Sequence, residues 1–341
     1  MTRREYVLAA INHEQTDRIP YTLGFEGGTD VELDKYYGST GWRNKIQSYL
    51  IGVGGVDTTC EKQIDESHRR DAFGTIWRTD RLPWHLETPG LTKPSLEGFD
   101  WPTIDRFPRY VAENIGELTG PNAERFSLMN IGWGLFEQTW RIRGFENAMM
   151  DCVTQTDFYE ELLDRLTDLR IEMVEKCKDV PSDAIMFGDD WGEQRGVIIG
   201  PELWRKYLKP RWAKVFDAVH AQGKYAITHS CGSVADIMPD IIEIGLDVLE
   251  SVQPEPYGMN PFELKKKFGD KIAFWGCLGS QSDIPFSTPQ EIHKKVDRLC
   301  MEMGKGGGYI LAPAKSIQPG TPPENSAAVV ESFIKQNPPE S

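Results

Sequence analysis

The chain has 341 residues, of which 39% are hydrophobic, and this is enough to build a substantial buried core. Its 52 acidic residues outnumber its 38 basic residues, and the formal net charge of -14 argues against nucleic acid as a partner. The apolar stretches are shorter than the roughly 20 residues that a membrane-spanning helix needs. The first residues lack the apolar segment of a signal peptide, so we expect a cytoplasmic protein.

The first predicted elements are a short strand at residues 19–23 and a second strand near residues 53–58. The segment from about 60 to 115 then breaks the pattern of the rest of the chain. It contains strand-like runs at residues 71–77 and 84–87, which predict a hairpin, followed by a proline-rich stretch. We interpret this segment as an insertion near the mouth of the fold, in a position to act as a lid.

From about residue 125 onward, apolar runs that predict strands alternate with amphipathic patterns that predict helices. The predicted strands comprise residues 126–131, 184–187, 225–228, 246–249, 272–275 and 309–312. The clearest predicted helices comprise residues 158–178, 201–222, 289–303 and 322–335. Such alternation indicates parallel strands joined by helical crossovers, and the two earlier strands bring the predicted total to eight. The sequence therefore predicts an α/β fold, a single (β/α)8 TIM barrel domain over residues 1–341.

In such a barrel the catalytic and binding residues lie at the carboxyl ends of the strands. One pair of residues predicted there is of the types that bind metal ions. His229 and Cys231 are two residues apart at the end of a predicted strand, so both side chains can reach one ion. Zinc prefers nitrogen and sulfur ligands, which makes Cys277 the best candidate for a third ligand and Glu250 a candidate for a fourth. The alternatives are packing in a pocket wall for the first pair and hydrogen bonding for Glu250.

Other strand ends carry charged and aromatic residues that could contact a substrate. Asp190, Glu193 and Arg195 could orient a substrate or donate a proton, or they could form a structural salt-bridge network. Asp189 and Asp190 should point to opposite faces, and we favour Asp190 for the mouth. Lys315, after the last strand, is a candidate for meeting an anionic group or for simple solvation. Further candidate substrate contacts are Trp133, Glu137, Trp191, Gln253 and Trp275.

Several of these segments resemble the uroporphyrinogen decarboxylase superfamily. The resemblance lies in His229–Gly232, in Asp189–Tyr207, in Gly308–Asn325 and in the opening Asp17–Pro20. It implies a (β/α)8 barrel with its pocket at the carboxyl face. The decarboxylases of this superfamily carry an arginine-containing segment that binds the carboxylates of the porphyrinogen. Here the corresponding residues 23–28 contain no arginine, so a polyanionic porphyrinogen would find few partners.

The resemblance extends to a second branch, methyltransferases that work with corrinoid proteins and hold zinc through His-x-Cys and a distant cysteine. His229 and Cys231 match the pair, whereas Lys315 stands where that family has its distant cysteine. The resemblance therefore implies either that Cys277 replaces the missing ligand or that zinc has been lost. The chain lacks the Asp-x-His-x-x-Gly corrinoid motif, so cobalamin would arrive on a separate corrinoid protein.

These patterns together predict the methyltransferase component of a corrinoid-dependent demethylation system. It would move a methyl group between cobalamin on the partner and a small substrate, and the tryptophans favour a methoxylated aromatic. The alternatives are a decarboxylase of another carboxylic acid and a catalytically silent binding barrel. The acidic exterior fits a monomer or a homodimer, and the resemblance favours the homodimer.

Overall fold

A computed structural model describes residues 1–54, 62–107, 116, 118, 120 and 122–337 of the chain. In chain order its strands are β1 (Leu50–Gly54), β2 (Lys62–Gln63), β3 (His68–Arg70), β4 (Ile76–Arg78), β5 (His85–Thr88), β6 (Phe126–Trp133), β7 (Ala184–Gly188), β8 (Tyr225–His229), β9 (Val248–Val252), β10 (Ala273–Leu278) and β11 (Tyr309–Pro313). The predicted strand near residues 53–58 lies mostly outside the described residues, since β1 ends at Gly54.

The α-helices with described boundaries lie between and around these strands. They are α1 (Arg3–Ile11), α2 (Thr29–Tyr37), α3 (Leu135–Arg143), α4 (Phe145–Thr154), α5 (Thr156–Lys176), α6 (Pro201–Tyr207), α7 (Lys209–His220), α8 (Met238–Glu243), α9 (Pro261–Phe268), α10 (Asp283–Phe286), α11 (Pro289–Met303) and α12 (Pro323–Ile334). No helix in the described part of the chain is both long and apolar enough to cross a membrane.

Seven of the strands form one parallel sheet in the order β1, β6, β7, β8, β9, β10 and β11. Residues 20–22 close this sheet into a barrel, because they connect β11 with the residue before β1. The N–H of Leu311 donates to the carbonyl of Pro20 at 2.9 Å, and the N–H of Tyr49 donates to the carbonyl of Tyr21 at 3.0 Å. The fold-class prediction is confirmed, although the predicted first strand is reduced to one bridge between Tyr21 and Leu311.

Local sequence signals explain most of the helix boundaries. Helix α11 matches the predicted residues 289–303 because Thr288 and Glu291 form a capping box and Pro289 occupies its first turn. The predicted helix over residues 201–222 is instead divided at Leu208 into α6 and α7. Pro210 explains the division, because it has no N–H to continue the first helix but fits the first turn of the second.

The insertion forms a separate antiparallel sheet of β2, β3, β4 and β5, and the predicted hairpin is its β4–β5 pair. Cation–π contacts of one arginine with two tryptophans connect this sheet to the barrel. The guanidinium of Arg141, on α3, lies 4.3 Å from the ring centroid of Trp77 in β4 and 4.2 Å from that of Trp133 at the end of β6. The insertion is therefore packed against the carboxyl end of β6, while its role as a lid remains a prediction.

Candidate functional site

The site is built around two side chains at the end of β8. His229 is the last residue of the strand, and the Sγ atom of Cys231 lies 3.3 Å from its Nε2 atom. Cys231 Sγ is also 3.5 Å from the hydroxyl of Ser251, which in turn donates to the carbonyl of Ala314 at 2.6 Å. The two residues therefore face one another at the mouth of the barrel, as their spacing predicts.

Asp190, just after β7, completes a group of three potential ligands. Its Oδ1 atom accepts a hydrogen bond from the N–H of Cys231 at 2.7 Å and lies 3.6 Å from His229 Nε2. Within the described residues, one ligand atom each from Asp190, His229 and Cys231 lie within 4.8 Å of one another. Oxygen, nitrogen and sulfur in this arrangement suit a divalent ion such as Zn²⁺.

A close approach of two glycines holds the loops after β7 and β8 together. A methyl group at Gly192 would lie 2.6 Å from the backbone N of Ser233, and one at Gly232 would lie 2.4 Å from the backbone C of Gly192. Only residues without a side chain allow this contact, and Gly232 also has a φ of 76°. The contact therefore brings Asp190 within reach of Cys231.

Glu250, on β9, is placed behind the histidine rather than among the ligand atoms. Its Oε2 atom lies 2.5 Å from Nδ1 of His229, the ring nitrogen that faces away from Cys231. Burial lowers the pKa of His229, but hydrogen bonds with Cys231 and Glu250 outweigh burial and raise that pKa to about 11 in the metal-free protein. Our ligand assignment for Glu250 is replaced by its stated alternative, hydrogen bonding, and the partner is the histidine, whose imidazole this carboxylate orients.

Cys277 does not join the group, and the expectation that it supplies the third ligand is corrected. The strand β10 is irregular here, because Gly276 has a φ of 123° and Cys277 a φ of 72°, and the register with β9 shifts after Trp275. The thiol is completely buried and interacts electrostatically with Lys295 of α11 and Tyr309 of β11. Burial raises the pKa of this thiol well above its usual range, which disfavours the thiolate that a metal needs.

Asp189 and Asp190 face opposite sides, as predicted. Asp189 is completely buried and accepts hydrogen bonds from the indoles of Trp191 at 2.7 Å and Trp212 at 3.0 Å. It also accepts from the backbone N–H of Glu137 at 2.8 Å, at the start of α3. Burial raises the pKa of Asp189 to about 6. This carboxylate fixes the elements behind the site, while Asp190 faces the group of ligand atoms.

Glu137 is near enough to Asp190 and His229 to be affected by their charges, but it is buried, with 5% of its surface exposed. Burial, together with the carboxylates of Asp189 and Asp190, raises the pKa of Glu137 to about 8. Its side chain is not part of the cavity wall described next. A direct contact between Glu137 and a substrate therefore remains a prediction.

A cavity of about 310 Å³ opens beside the ligand group. It is lined by Asp190, Gly192, Glu193, Gln194, Cys231, Gly232, Gln253, Ser280, Gln281, Lys315 and Gln318. Arg195 is not part of the lining, because its side chain is 90% exposed and its Nε lies 3.3 Å from Glu193. The sequence analysis did not predict Ser280, although its position two residues after the end of β10 could have indicated it.

The three predicted tryptophan contacts lie elsewhere. Trp191 is 1% exposed in the core, where its ring packs against those of Trp204 and Trp212. Trp133 packs against the Arg141 guanidinium. Trp275 is 7% exposed and donates from Nε1 to the hydroxyl of Thr22 at 3.0 Å. The structure therefore gives the cavity an amide-rich wall instead of the expected aromatic one.

Comparisons with known proteins connect this geometry to a family. Residues 133–335 match the family model described as uroporphyrinogen decarboxylase (URO-D). A methylcobamide:CoM methyltransferase, MtaA, from Methanosarcina barkeri is 29% identical over 282 residues, which are 83% of this chain and 76% of the relative. A uroporphyrinogen decarboxylase from Geobacter sulfurreducens is 23% identical over 252 residues, 72% of this chain and 71% of that protein.

A solved structure supports the architecture. The methyltransferase from Methanosarcina mazei superposes with a TM-score of 0.72 over 98% of this chain and 99% of that chain, at 20% identity. At 20% sequence identity this similarity supports the fold alone. The predicted resemblance to the superfamily and to its corrinoid-dependent methyltransferase branch is confirmed.

Proposed function

The chain belongs to the uroporphyrinogen decarboxylase family and to its methyltransferase-like branch, and on this premise we propose that it transfers methyl groups between a small substrate and cobalamin. The cobalamin would be presented by a separate corrinoid protein, because the chain itself has no Asp-x-His-x-x-Gly motif. This partner would dock at the barrel mouth, where the cavity opens.

One observation carries the proposal, the convergence of Asp190, His229 and Cys231 at the cavity. These three residues would hold Zn²⁺ through a carboxylate oxygen, Nε2 and Sγ, and Glu250 would keep Nε2 directed at the ion. When bound, the ion would supply Lewis acidity that stabilises negative charge on a substrate heteroatom. Binding requires a neutral imidazole and a thiolate, so uptake of the ion should release protons.

The protein's own residues have separate tasks in this scheme. In transfer to the partner, the bond between the methyl carbon and the substrate heteroatom would break, the heteroatom would keep the electron pair, and the methyl group would pass to reduced cobalamin. The cavity wall would hold the substrate so that its methyl group faces the mouth. Glu193, which is paired with Arg195, lines the cavity and would contact polar substrate groups.

The dimensions of the cavity bear on the substrate class. About 310 Å³ lies at the lower end of the range for small-molecule sites, which favours a substrate much smaller than a tetrapyrrole. A methoxylated aromatic is no longer the favoured donor, because none of the three predicted tryptophans lines the cavity. A small polar substrate fits the amide-rich wall better.

Methyl transfer can be tested in both directions with free cobalamin. Zinc-loaded protein is mixed either with methylcobalamin and small thiols or with reduced cob(I)alamin and methylated thiols, amines and ethers, and the visible spectrum reports the state of cobalt. We expect substrate-dependent conversion that Cys231→Ala abolishes. Cys300→Ala is the matched control, since Cys300 lies outside the cavity lining. No conversion across the panel, or full conversion by Cys231→Ala, would contradict the proposal. Metal-independent release of CO2 from a carboxylic acid would support the decarboxylase alternative instead.

A further inference from the structure

We propose that Gln253 recognises the substrate through a free amide N–H, so that the small molecule accepted by this cavity carries an ether or carbonyl oxygen near its metal-binding heteroatom. The inference rests on the proposed function for the role of the metal, but its evidence is the state of one buried side chain. Gln253 lines the same cavity as Asp190 and Cys231. A small molecule that reaches the ligand group would therefore lie within reach of this amide as well.

The amide of Gln253 has one defined orientation. Its Oε1 atom accepts a hydrogen bond from the backbone N–H of Gly232 at 2.9 Å. Since a backbone N–H can pair only with the oxygen of an amide, the Nε2 group must occupy the other position. Gln253 is 4% exposed, so its packed surroundings hold this orientation. The residue thus presents a donor, and not an acceptor, to the cavity.

The Nε2 group of Gln253 has no protein partner. In the part of the chain that the structure describes, no side-chain or backbone oxygen accepts a hydrogen bond from it. Among the same residues, it does not belong to the polar atoms that lie sealed in the core without a partner, so it has access to the space of the cavity. Buried amide groups are normally hydrogen-bonded. A free donor on a nearly buried residue therefore indicates a place for an acceptor from a bound molecule.

The other amides of the cavity wall differ from that of Gln253. Nε2 of Gln194 lies 3.5 Å from Oε1 of Gln281, and both residues are exposed, so water also reaches them. Nε2 of Gln318 donates to the carbonyl of Ser316 at 2.8 Å. Of the four amides that line this part of the described chain, only that of Gln253 combines burial with a free donor. It is therefore the amide that gains most from an acceptor on the substrate.

The backbone before Gln253 is strained, and the strain accompanies its placement at the site. Glu250 and Gln253 are three residues apart, so a regular strand would point their side chains to opposite faces. Ser251 lies between them with a φ of 64°, which is unfavourable for a serine and typical of functional sites. Its hydroxyl donates to the carbonyl of Ala314 at 2.6 Å, just after β11. The break in alternation lets Glu250 contact the histidine while Gln253 reaches the cavity.

The chemistry of this donor selects among substrates. An uncharged amide N–H pairs with an ether, a carbonyl or another oxygen that has a free lone pair. An ammonium group at the same place would set one donor against another, and a methylene group would leave the N–H unpaired. Sites that are built to hydrogen-bond a substrate reject analogues without the matching group, because the buried polar group of the protein then stays unsatisfied. We therefore expect the oxygen to be a condition for tight binding.

Two thiols of nearly equal shape test this inference without cobalamin. Calorimetry on zinc-loaded protein would compare 2-methoxyethanethiol with 1-butanethiol, in which a methylene group replaces the ether oxygen. The measured quantity is the change in the ratio of the two affinities between variants, in which differences between the free thiols cancel. Gln253→Glu keeps an oxygen for the N–H of Gly232 but replaces the free donor by an acceptor. At mildly alkaline pH, where the new carboxyl is ionised, we expect the ratio to shift by about fivefold against the ether, the range of one hydrogen bond.

Two further variants complete the design. Gln253→Met removes the donor without adding a charge, and it should shift the ratio in the same direction. Gln155→Glu is the matched control, because it adds the same charge at an exposed residue outside this cavity. This control should leave the ratio unchanged. Thermal unfolding of each variant would show that the fold is intact.

The outcomes separate this inference from the proposed function. An unchanged ratio in Gln253→Glu and Gln253→Met, an equal shift in Gln155→Glu, or binding of neither thiol would overturn the role of Gln253. Methylation of cobalamin together with an unchanged ratio would refute this recognition and leave methyl transfer standing. A ratio that depends on Gln253, in a protein that never methylates cobalt, would support the recognition and refute methyl transfer.

Discussion

Nδ1 of His229 lies 2.5 Å from Oε2 of Glu250, so the carboxylate on β9 determines which ring nitrogen faces Cys231 and Asp190. Replacing Glu250 by Gln retains a hydrogen-bonding group but removes the charge that makes the imidazole a better ligand. We expect Glu250→Gln to weaken zinc binding by about 10- to 100-fold, the usual effect of such outer carboxylates. Competition with a chromophoric chelator measures this affinity. Unchanged affinity would mean that Glu250 does not orient the histidine.

The contact between Gly192 and Gly232 provides a second prediction, in which no ligand is altered. Gly192→Ala places a methyl group against the backbone of the β8 loop, so Asp190 and Cys231 should move apart. We expect zinc affinity to fall by about tenfold or more, since misplaced ligands cannot complete the site. Gly196→Ala is the control, because nothing lies within 4 Å of a methyl group there. Equal zinc affinity in both variants would show that the glycine contact is unimportant for the metal.

The substitution Cys277→Ala tests whether Cys277 packs in the core or binds the metal. We expect this variant to retain its zinc, because the thiol is completely buried and does not belong to the group of Asp190, His229 and Cys231. It should be destabilised by about 1 kcal/mol, the cost of removing one buried atom from a packed core. Denaturant unfolding measures the stability, and elemental analysis measures the metal. Loss of zinc on this substitution would restore Cys277 as a ligand.

The parts of this site that the sequence predicted depend on local regularity. Alternation along a strand places His229 and Cys231 on one side, and strand ends place Asp190 and Lys315 at the mouth, because both patterns need only neighbouring residues. The sequence pointed to substrate orientation or proton donation for Asp190, and its place among the ligand atoms was not predicted. Cys277 escaped prediction since the positive φ angles of Gly276 and Cys277 break that alternation. Such angles are set by packing between strands.

The location of Trp191 was missed for a different reason. Its indole lies in the core, where it donates a hydrogen bond to Asp189. It also packs against the rings of Trp204 and Trp212, which lie on helices α6 and α7. Contacts between residues distant in the chain leave no periodic signal. The barrel itself was predictable, because its apolar runs and helix caps repeat along the sequence.

The closure of the barrel by residues 20–22 predicts a dependence of stability on alkaline pH. Burial raises the pKa of Tyr21 to about 12, whereas the unfolded chain ionises near its ordinary value of 10.0. Between these values the folded protein keeps a proton that the unfolded chain releases, so stability falls as pH rises. The loss from this group should reach about 2–3 kcal/mol.

Tyr21→Phe isolates that contribution. The variant should be about 1–2 kcal/mol less stable at neutral pH, because the N–H of Gln47 loses the phenol oxygen that accepts it at 2.9 Å. It should then lose less stability than the unaltered protein between pH 10 and pH 12. Urea unfolding at several pH values measures both effects. Parallel pH profiles for the two proteins would contradict the assigned ionisation of Tyr21.

We propose that Asp190, His229 and Cys231 hold one metal ion with a single protein sulfur ligand. X-ray absorption at the zinc edge of protein purified without chelator or added thiol tests this most directly. The predicted spectrum has one sulfur neighbour at about 2.3 Å and nitrogen or oxygen neighbours at about 2.0–2.2 Å. Two sulfur neighbours, or a protein that retains no zinc at all, would contradict the account.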